Sequence, residues 1–426
     1  MRSFPQPRGT RCAFLRIGAR PLPLLALAFP VLLAACGQSS AASAITSSHL
    51  TGQPGASASS TRLSADQLAM QMVGRMSLND KLGQMIIIQF TQQDYTPDQA
   101  ALVAPFHPGG AILYSYAMGS AQQVRDLLAS AQGDSPIPML TMTDLEGGWI
   151  DHLVAYVGPH MSAPAMAASG DPQVAERQGA KVARDLVSMG FNTDLAPDVD
   201  VELVPGPDQV GRTFGQTPEP VITYGGAFLN GLQGNGVPGC LKHFPGLGAA
   251  STDAHVDLPV VNRTRDQLEA TELAPFRALI ASGQAQMIMS TDVLIPALDP
   301  NLPAEISRPI ITGILRDELH FDGVAVTDAL YMAGIQSKYN FQQAAVLAIE
   351  AGNDMVMAPF TPGMMTGIVT SLKQALATGA LSQAQVDNSV RRILALKLRY
   401  RVVPGPRPIA PGLSAGPEAD RPHPTV

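Results

Sequence analysis

Lys242, His243, Asp253, His255 and Asp257 collect in one segment rich in glycine and proline, directly after an apolar, strand-like run. An imidazole changes charge near neutral pH, and a carboxylate two residues away can orient its ring and raise its proton affinity, so this set suits proton transfer. Further acids stand where other strand-like runs end: Asp144-Leu145-Glu146-Gly147-Gly148, Thr291-Asp292 and Asp328. A single acid after a strand is commonly a helix N-cap. Four strand ends carrying charged or proton-transferring groups point instead to a catalytic mouth.

The elements that must position these residues alternate. Strand candidates are Met85–Phe90, Gly110–Tyr114, Pro138–Thr143, Asn192–Ala196, Val237–Lys242, Gln286–Ser290, Gly323–Thr327 and Asp354–Met357. Longer amphipathic stretches such as Pro172–Met189, Arg265–Ser282 and Phe341–Ala351 lie between them, the repeat expected of parallel strands joined by crossover helices. Eight such strands over roughly 320 residues predict an α/β fold, a single (β/α)8 TIM-like barrel spanning residues 63–402, with its chemistry at the carboxyl ends of the strands. A doubly wound sheet would want a phosphate-type glycine loop after its first strand, and Gln89-Phe90-Thr91-Gln92-Gln93 offers none.

The first 36 residues hold five arginines and no acid, then an apolar run from Pro21 to Leu33 ending in Leu33-Ala34-Ala35-Cys36. That order reads as an export signal, and its end resembles a bacterial lipobox in which Cys36 takes the lipid and begins the mature chain. Residues 37–62, dominated by Ser, Ala, Gly and Thr, suit a flexible tether, and the Pro/Gly-rich residues 403–426 a disordered tail. Without the signal, 23 basic and 35 acidic residues remain, a net charge of −12 that argues against nucleic acid as a partner. Cys240 is then the one cysteine left, too few for a disulfide framework, and its apolar surroundings make it a packing residue.

Several segments together carry a family resemblance: Asp144-Leu145-Glu146-Gly147-Gly148, Ala196-Pro197-Asp198-Val199-Asp200, Gly211-Arg212-Thr213-Phe214-Gly215, Lys242-His243-Phe244-Pro245-Gly246, Asp253-Ala254-His255 and Phe321-Asp322-Gly323-Val324-Ala325-Val326-Thr327-Asp328-Ala329-Leu330. In this order they resemble the motif set of family 3 glycoside hydrolases, and are most similar to the β-N-acetylhexosaminidase branch. The likeness runs from Met76 to Leu394. It implies a retaining exo-hydrolase acting on terminal β-linked N-acetylglucosamine of peptidoglycan- or chitin-derived oligosaccharides. Asp328 would be the nucleophile, His255 the acid/base and Asp253 its orienting partner. Asp144, Arg212, Lys242, His243 and His152 would bind the sugar. No cofactor and no metal is implied. The membrane is a partner only through the lipid anchor, and the oligomeric state is left open.

Three departures bear on the pocket. His152 stands where the family usually has a sugar-gripping arginine, Thr291-Asp292-Val293 replaces the common Ala-His-Val, and Leu247 replaces a histidine. Trp149, beside the first gap, suits either stacking on a sugar or filling space between a loop and a helix. Two other classes remain open: a sugar-binding surface lipoprotein without turnover, and a metal-dependent hydrolase, although no His pair sits at metal-ligand spacing. Within the enzyme class a histidine acid/base also leaves room for a β-N-acetylglucosaminide phosphorylase. The β-glucosidase-like members usually draw their acid from a further domain, and no sequence for one follows residue 402, which favours the hexosaminidase branch.

Overall fold

A computed structural model of the chain describes residues 63–206 and 210–403. The signal, Cys36, the linker and nearly all of the tail lie outside these residues.

Apolar, often β-branched runs make the strands: β1 Ile86–Gln89, β2 Gly110–Ile112, β3 Leu140–Thr143, β4 Thr193–Asp194, β5 Cys240–Phe244, β6 Met287–Ser290, β7 Val324–Ala329 and β8 Met355–Met357. Such runs are hydrophobic on both faces because they lie between an inner core and a jacket of helices. The hydrogen-bonded order is β4-β3-β2-β1-β8-β7-β6-β5 with every pair parallel, and the bridges Asp194–Gly239 and Asp198–Lys242 join the two ends. This is the (β/α)8 barrel expected from the alternation. Every expected strand overlaps an observed one, with ends shifted by a few residues; Cys240–Phe244 and Val324–Ala329 each run two residues past the expected end.

The helices show where local chemistry decides. Pro172–Ser188 and Pro218–Gly234 approach until backbones touch: a Cβ on Gly179 would come within 2.1 Å of the Phe228 carbonyl oxygen, and one on Gly231 within 1.9 Å of that of Glu176. Any side chain there would force the pair apart. Arg265–Ser282, read from sequence as one amphipathic stretch, is two helices, Arg265–Ala270 and Leu273–Ala281. Pro275 is the reason: in a continuous helix its ring would strike the carbonyl of Thr271, whose φ of −128° has left the helical region.

After β3 the chain forms a small antiparallel hairpin, Leu145–Gly147 with Ile150–Asp151, that periodicity did not reveal. Gly147 (φ 88°) and Gly148 (φ 64°) supply its turn. The buried His160 ties this hairpin to the barrel jacket. Its Nδ1 lies 3.0 Å from Asp151 and its Nε2 3.0 Å from Asp185 on the helix Pro172–Ser188. The backbone N–H of His160 also donates to Asp151, at 3.0 Å.

Candidate active site

The carboxyl ends of the strands open on a cavity of about 360 Å³ whose wall includes Asp144, His152, Arg212, Lys242, His243, His255 and Asp328. Asp253 reaches it through His255. The structure therefore brings every candidate site residue read from the sequence to one mouth, apart from Cys36, which lies outside the described residues.

Asp328 is the penultimate residue of β7, with its carboxylate held at two points. The Ala329 N–H donates to Oδ1 at 2.8 Å, and the Thr291 hydroxyl, arriving from β6, donates to Oδ2 at 3.1 Å. His255 stands on the loop after β5, its side chain 66 % exposed. Asp253 Oδ1 accepts the His255 backbone N–H at 2.8 Å and lies 2.9 Å from Nδ1, so one carboxylate fixes both the turn and the ring. That geometry suits an imidazole exchanging protons through Nε2.

Opposite lies a buried charge network. Glu146 grips Arg212 with both oxygens, Oε2 to Nε at 2.8 Å and Oε1 to Nη2 at 2.7 Å, and Oε1 also takes Lys242 Nζ at 2.7 Å. Lys242 Nζ donates in addition to Asp144. On the far side of Arg212, His243 Nδ1 lies 2.8 Å from Asp200 Oδ2, while Asp200 Oδ1 accepts the Leu247 N–H at 2.7 Å. Burial alone would neutralise these groups, but the pairing overrides it. Glu146 is held well below the usual carboxylate range by Arg212 and Lys242. Lys242, opposed by burial, is raised by Asp144 and Glu146, and His243, likewise opposed by burial, is raised by Asp200. The wall thus presents fixed cations backed by fixed anions, an arrangement made for a polar, many-pointed ligand.

His152 occupies the cavity wall with Nδ1 3.2 Å from the Ser115 hydroxyl and its ring edge-on to Tyr114, centroids 5.4 Å apart. Trp149 fills no internal gap: at 78 % exposure it lies over Gly211, where a Cβ would come within 2.6 Å of the indole. Cys240 is fully buried and burial pushes its thiol well up, as befits a packing residue. Asp198, Asp200 and His243 have ligand atoms within 4.8 Å of one another. His243 is already bonded to Asp200, however, and the Arg212 guanidinium stands 3.7 Å from Asp198, so a cation is built into this cluster.

Sequence reasoning gave no role to Glu146, Asp200 or Thr291. Glu146 had a signal: two residues after Asp144, it belongs on the same face of an extended segment. Asp200 and Thr291 had none, because their partners His243 and Asp328 lie 43 and 37 positions away.

A (β/α)8 barrel that gathers acids and cations at the carboxyl ends of its strands holds them where barrel enzymes carry their active sites. The chain belongs to glycoside hydrolase family 3: the profile of the Glycosyl hydrolase family 3 N terminal domain matches residues 77–396. Beta-hexosaminidase A of Pseudoalteromonas piscicida is 31 % identical over 331 residues, 71 % of this chain and 55 % of the relative. Beta-hexosaminidase LpqI of Mycobacterium tuberculosis is 30 % identical over 76 % of this chain and 83 % of its own. Among solved structures, a family 3 β-N-acetylglucosaminidase from Paenibacillus sp. str. FPU-7 superposes with a TM-score of 0.73 at 35 % identity, covering 81 % of this chain and 66 % of the other. The chain thus spans little more than half of the first of these relatives and just under two thirds of the solved structure.

Proposed function

We propose that this chain is a retaining exo-β-N-acetylhexosaminidase that removes terminal β-linked N-acetylglucosamine from peptidoglycan- or chitin-derived oligosaccharides. One observation carries the reading: Asp328 and the Asp253-oriented His255 face the same small cavity, whose other wall is the Lys242–Glu146–Arg212 network. Asp328 attacks the anomeric carbon while His255 gives a proton to the leaving oxygen, and His255 then takes a proton from the water that releases the sugar. Asp144, Arg212, Lys242, His243 and His152 bind the sugar in the cavity. Similarity to proteins named β-hexosaminidases and β-N-acetylglucosaminidases supports the substrate class.

The test is turnover of a chromogenic N-acetyl-β-glucosaminide with and without a chelator. Chelator-resistant release of the chromophore is expected. Sugar binding without turnover would make the chain a lectin-like binder, and loss of activity with chelator would make it a metal enzyme.

The site of action in this reading is outside the cytoplasmic membrane, with the protein tethered by a lipid on Cys36. Support comes from the lipobox-like sequence and from similarity, 36 % over 270 residues, to a protein of Arthroderma benhamiae named as a secreted glycosyl hydrolase. No helix among the described residues is long and apolar enough to cross a membrane.

A further inference from the structure

We propose that Glu305 is a positioning residue of the reaction centre: buried with Asp292 as an acid pair over the end of β6, it keeps its own proton and so limits the negative charge beside Asp328. This inference rests on Asp328 being the nucleophile and deepens that reading.

The geometry begins at the end of β6. Thr291 and Asp292 leave the strand, and residues 304–305 fold back over them: the Ala304 N–H donates to the Val293 carbonyl at 2.8 Å and the Glu305 N–H to the Thr291 carbonyl at 3.2 Å. This bracket encloses Asp292, and both acids are only 1 % exposed. Glu305 Oε2 is buried and has no hydrogen-bond partner among the described residues. Asp292 Oδ2 lies against Gly334, where a Cβ would come within 2.2 Å of it, so the acid is wedged against backbone. The same Thr291 that receives the Glu305 N–H donates its hydroxyl to Asp328. One short bracket therefore joins the acid pair to the nucleophile.

Two helices packed on this bracket present apolar faces to it. The helix Phe341–Ala351 buries Phe341, Ile349 and a row of alanines. The helix Pro309–Glu318 buries Ile310, Ile311, Ile314 and Leu315. Asn353 spends its Nδ2 on the Glu305 carbonyl at 2.8 Å and its Oδ1 on the Ser290 hydroxyl at 2.9 Å. Asp299, the other acid of this loop, is turned to the Ser307 hydroxyl at 2.8 Å. The charges acting on Glu305 are the Asp292 and Asp328 carboxylates. Burial first, and then these two neighbours, push its pKa well above the ordinary glutamate range, against one N–H contribution from Asp328. Three ionised carboxylates in one low-dielectric pocket would repel strongly, and a proton retained by Glu305 removes one of the three charges.

Infrared difference spectroscopy on the full chain tests this without relying on activity. At neutral pH the wild type should show the carbonyl stretch of a protonated carboxyl that is missing in Glu305→Gln. On raising the pH the band should vanish, and it should vanish about one pH unit earlier in Asp292→Asn and in Asp328→Asn, since each removes a charge that holds the proton on. A second readout uses a dinitrophenyl N-acetyl-β-glucosaminide, whose leaving group needs no proton from His255. Wild-type kcat/KM should fall on the alkaline side where the band disappears, and the Glu305→Gln profile should lack that fall. Absence of the band at neutral pH, a titration indifferent to Asp292→Asn, or an alkaline fall unchanged in Glu305→Gln would each overturn the proposal. If a fluorosugar labels an acid other than Asp328, the nucleophile assignment falls, and the band with its response to Asp292→Asn still decides the acid pair.

Discussion

Glu146 holds Arg212 by both guanidinium edges it can reach, at 2.7 and 2.8 Å, and with the same Oε1 takes the ammonium of Lys242. One buried carboxylate therefore sets the position of two cations that face the cavity. Glu146→Gln keeps the shape but leaves those two buried cations short of a counter-charge, a loss of about 3–5 kcal/mol when one partner of a buried pair is removed. Chemical denaturation should show that loss, and KM should rise more than kcat falls. The sign with pH follows from the lowered pKa: the native state binds the Glu146 proton less readily than the unfolded chain. Its stabilisation is present above the ordinary glutamate pKa and is lost as the medium becomes more acidic. The variant should therefore narrow its deficit in strong acid, and a deficit independent of pH would contradict the network.

Asp328→Asn should lower turnover of an aryl N-acetylglucosaminide by about a thousandfold or more with folding intact, because the covalent step loses its charge. A fluorosugar that traps the glycosyl-enzyme should label Asp328 alone. A loss under about tenfold would remove it from that role.

His255→Ala should slow substrates with poor leaving groups far more than activated aryl glycosides, which need little protonation. Equal slowing of both types would take His255 out of the mechanism. In the presence of phosphate, N-acetylglucosamine should remain the main product, and N-acetylglucosamine 1-phosphate as the main product would make the enzyme a phosphorylase.

Lys397 is fully buried, with its ammonium donating to Gln84 Oε1 at 2.7 Å, and burial lowers its pKa to about 7. Below that pH the folded protein carries a buried charge at full cost. Between it and the ordinary lysine value the unfolded chain binds more protons, so stability rises with pH, by at most about 1.4 kcal/mol for each pH unit. Lys397→Met should raise Tm most near pH 6 and progressively less toward pH 10. A pH-independent gain would show that the ammonium is not the source of the cost.

If a lipid on Cys36 is the protein's only anchor, Cys36→Ser should move it from the membrane to the soluble fraction, since residues 37–62 contain no hydrophobic run to hold it. Persistence in salt-washed membranes would mean a different anchor.

What the sequence determined by itself was whatever rests on short-range order. Eight strands were legible because apolar runs alternating with amphipathic stretches have few other ways to bury their surface. The Asp253–His255 pair was legible because a hydrogen bond between residues two apart needs only a turn. Even within that range one detail escaped, the helix break near Thr271, where the ring of Pro275 outweighed an unbroken apolar period. Tertiary structure alone decided the rest. Barrel closure set β4 beside β5, and only then could Asp200 meet His243. The hairpin after β3 swung Glu146 between Arg212 and Lys242, partners 66 and 96 positions further along the chain. Residues 304–305 folding over the end of β6 put Glu305 near Asp292 and Asp328. Such pairings depend on which strand ends share a rim, and no period in a linear sequence records that.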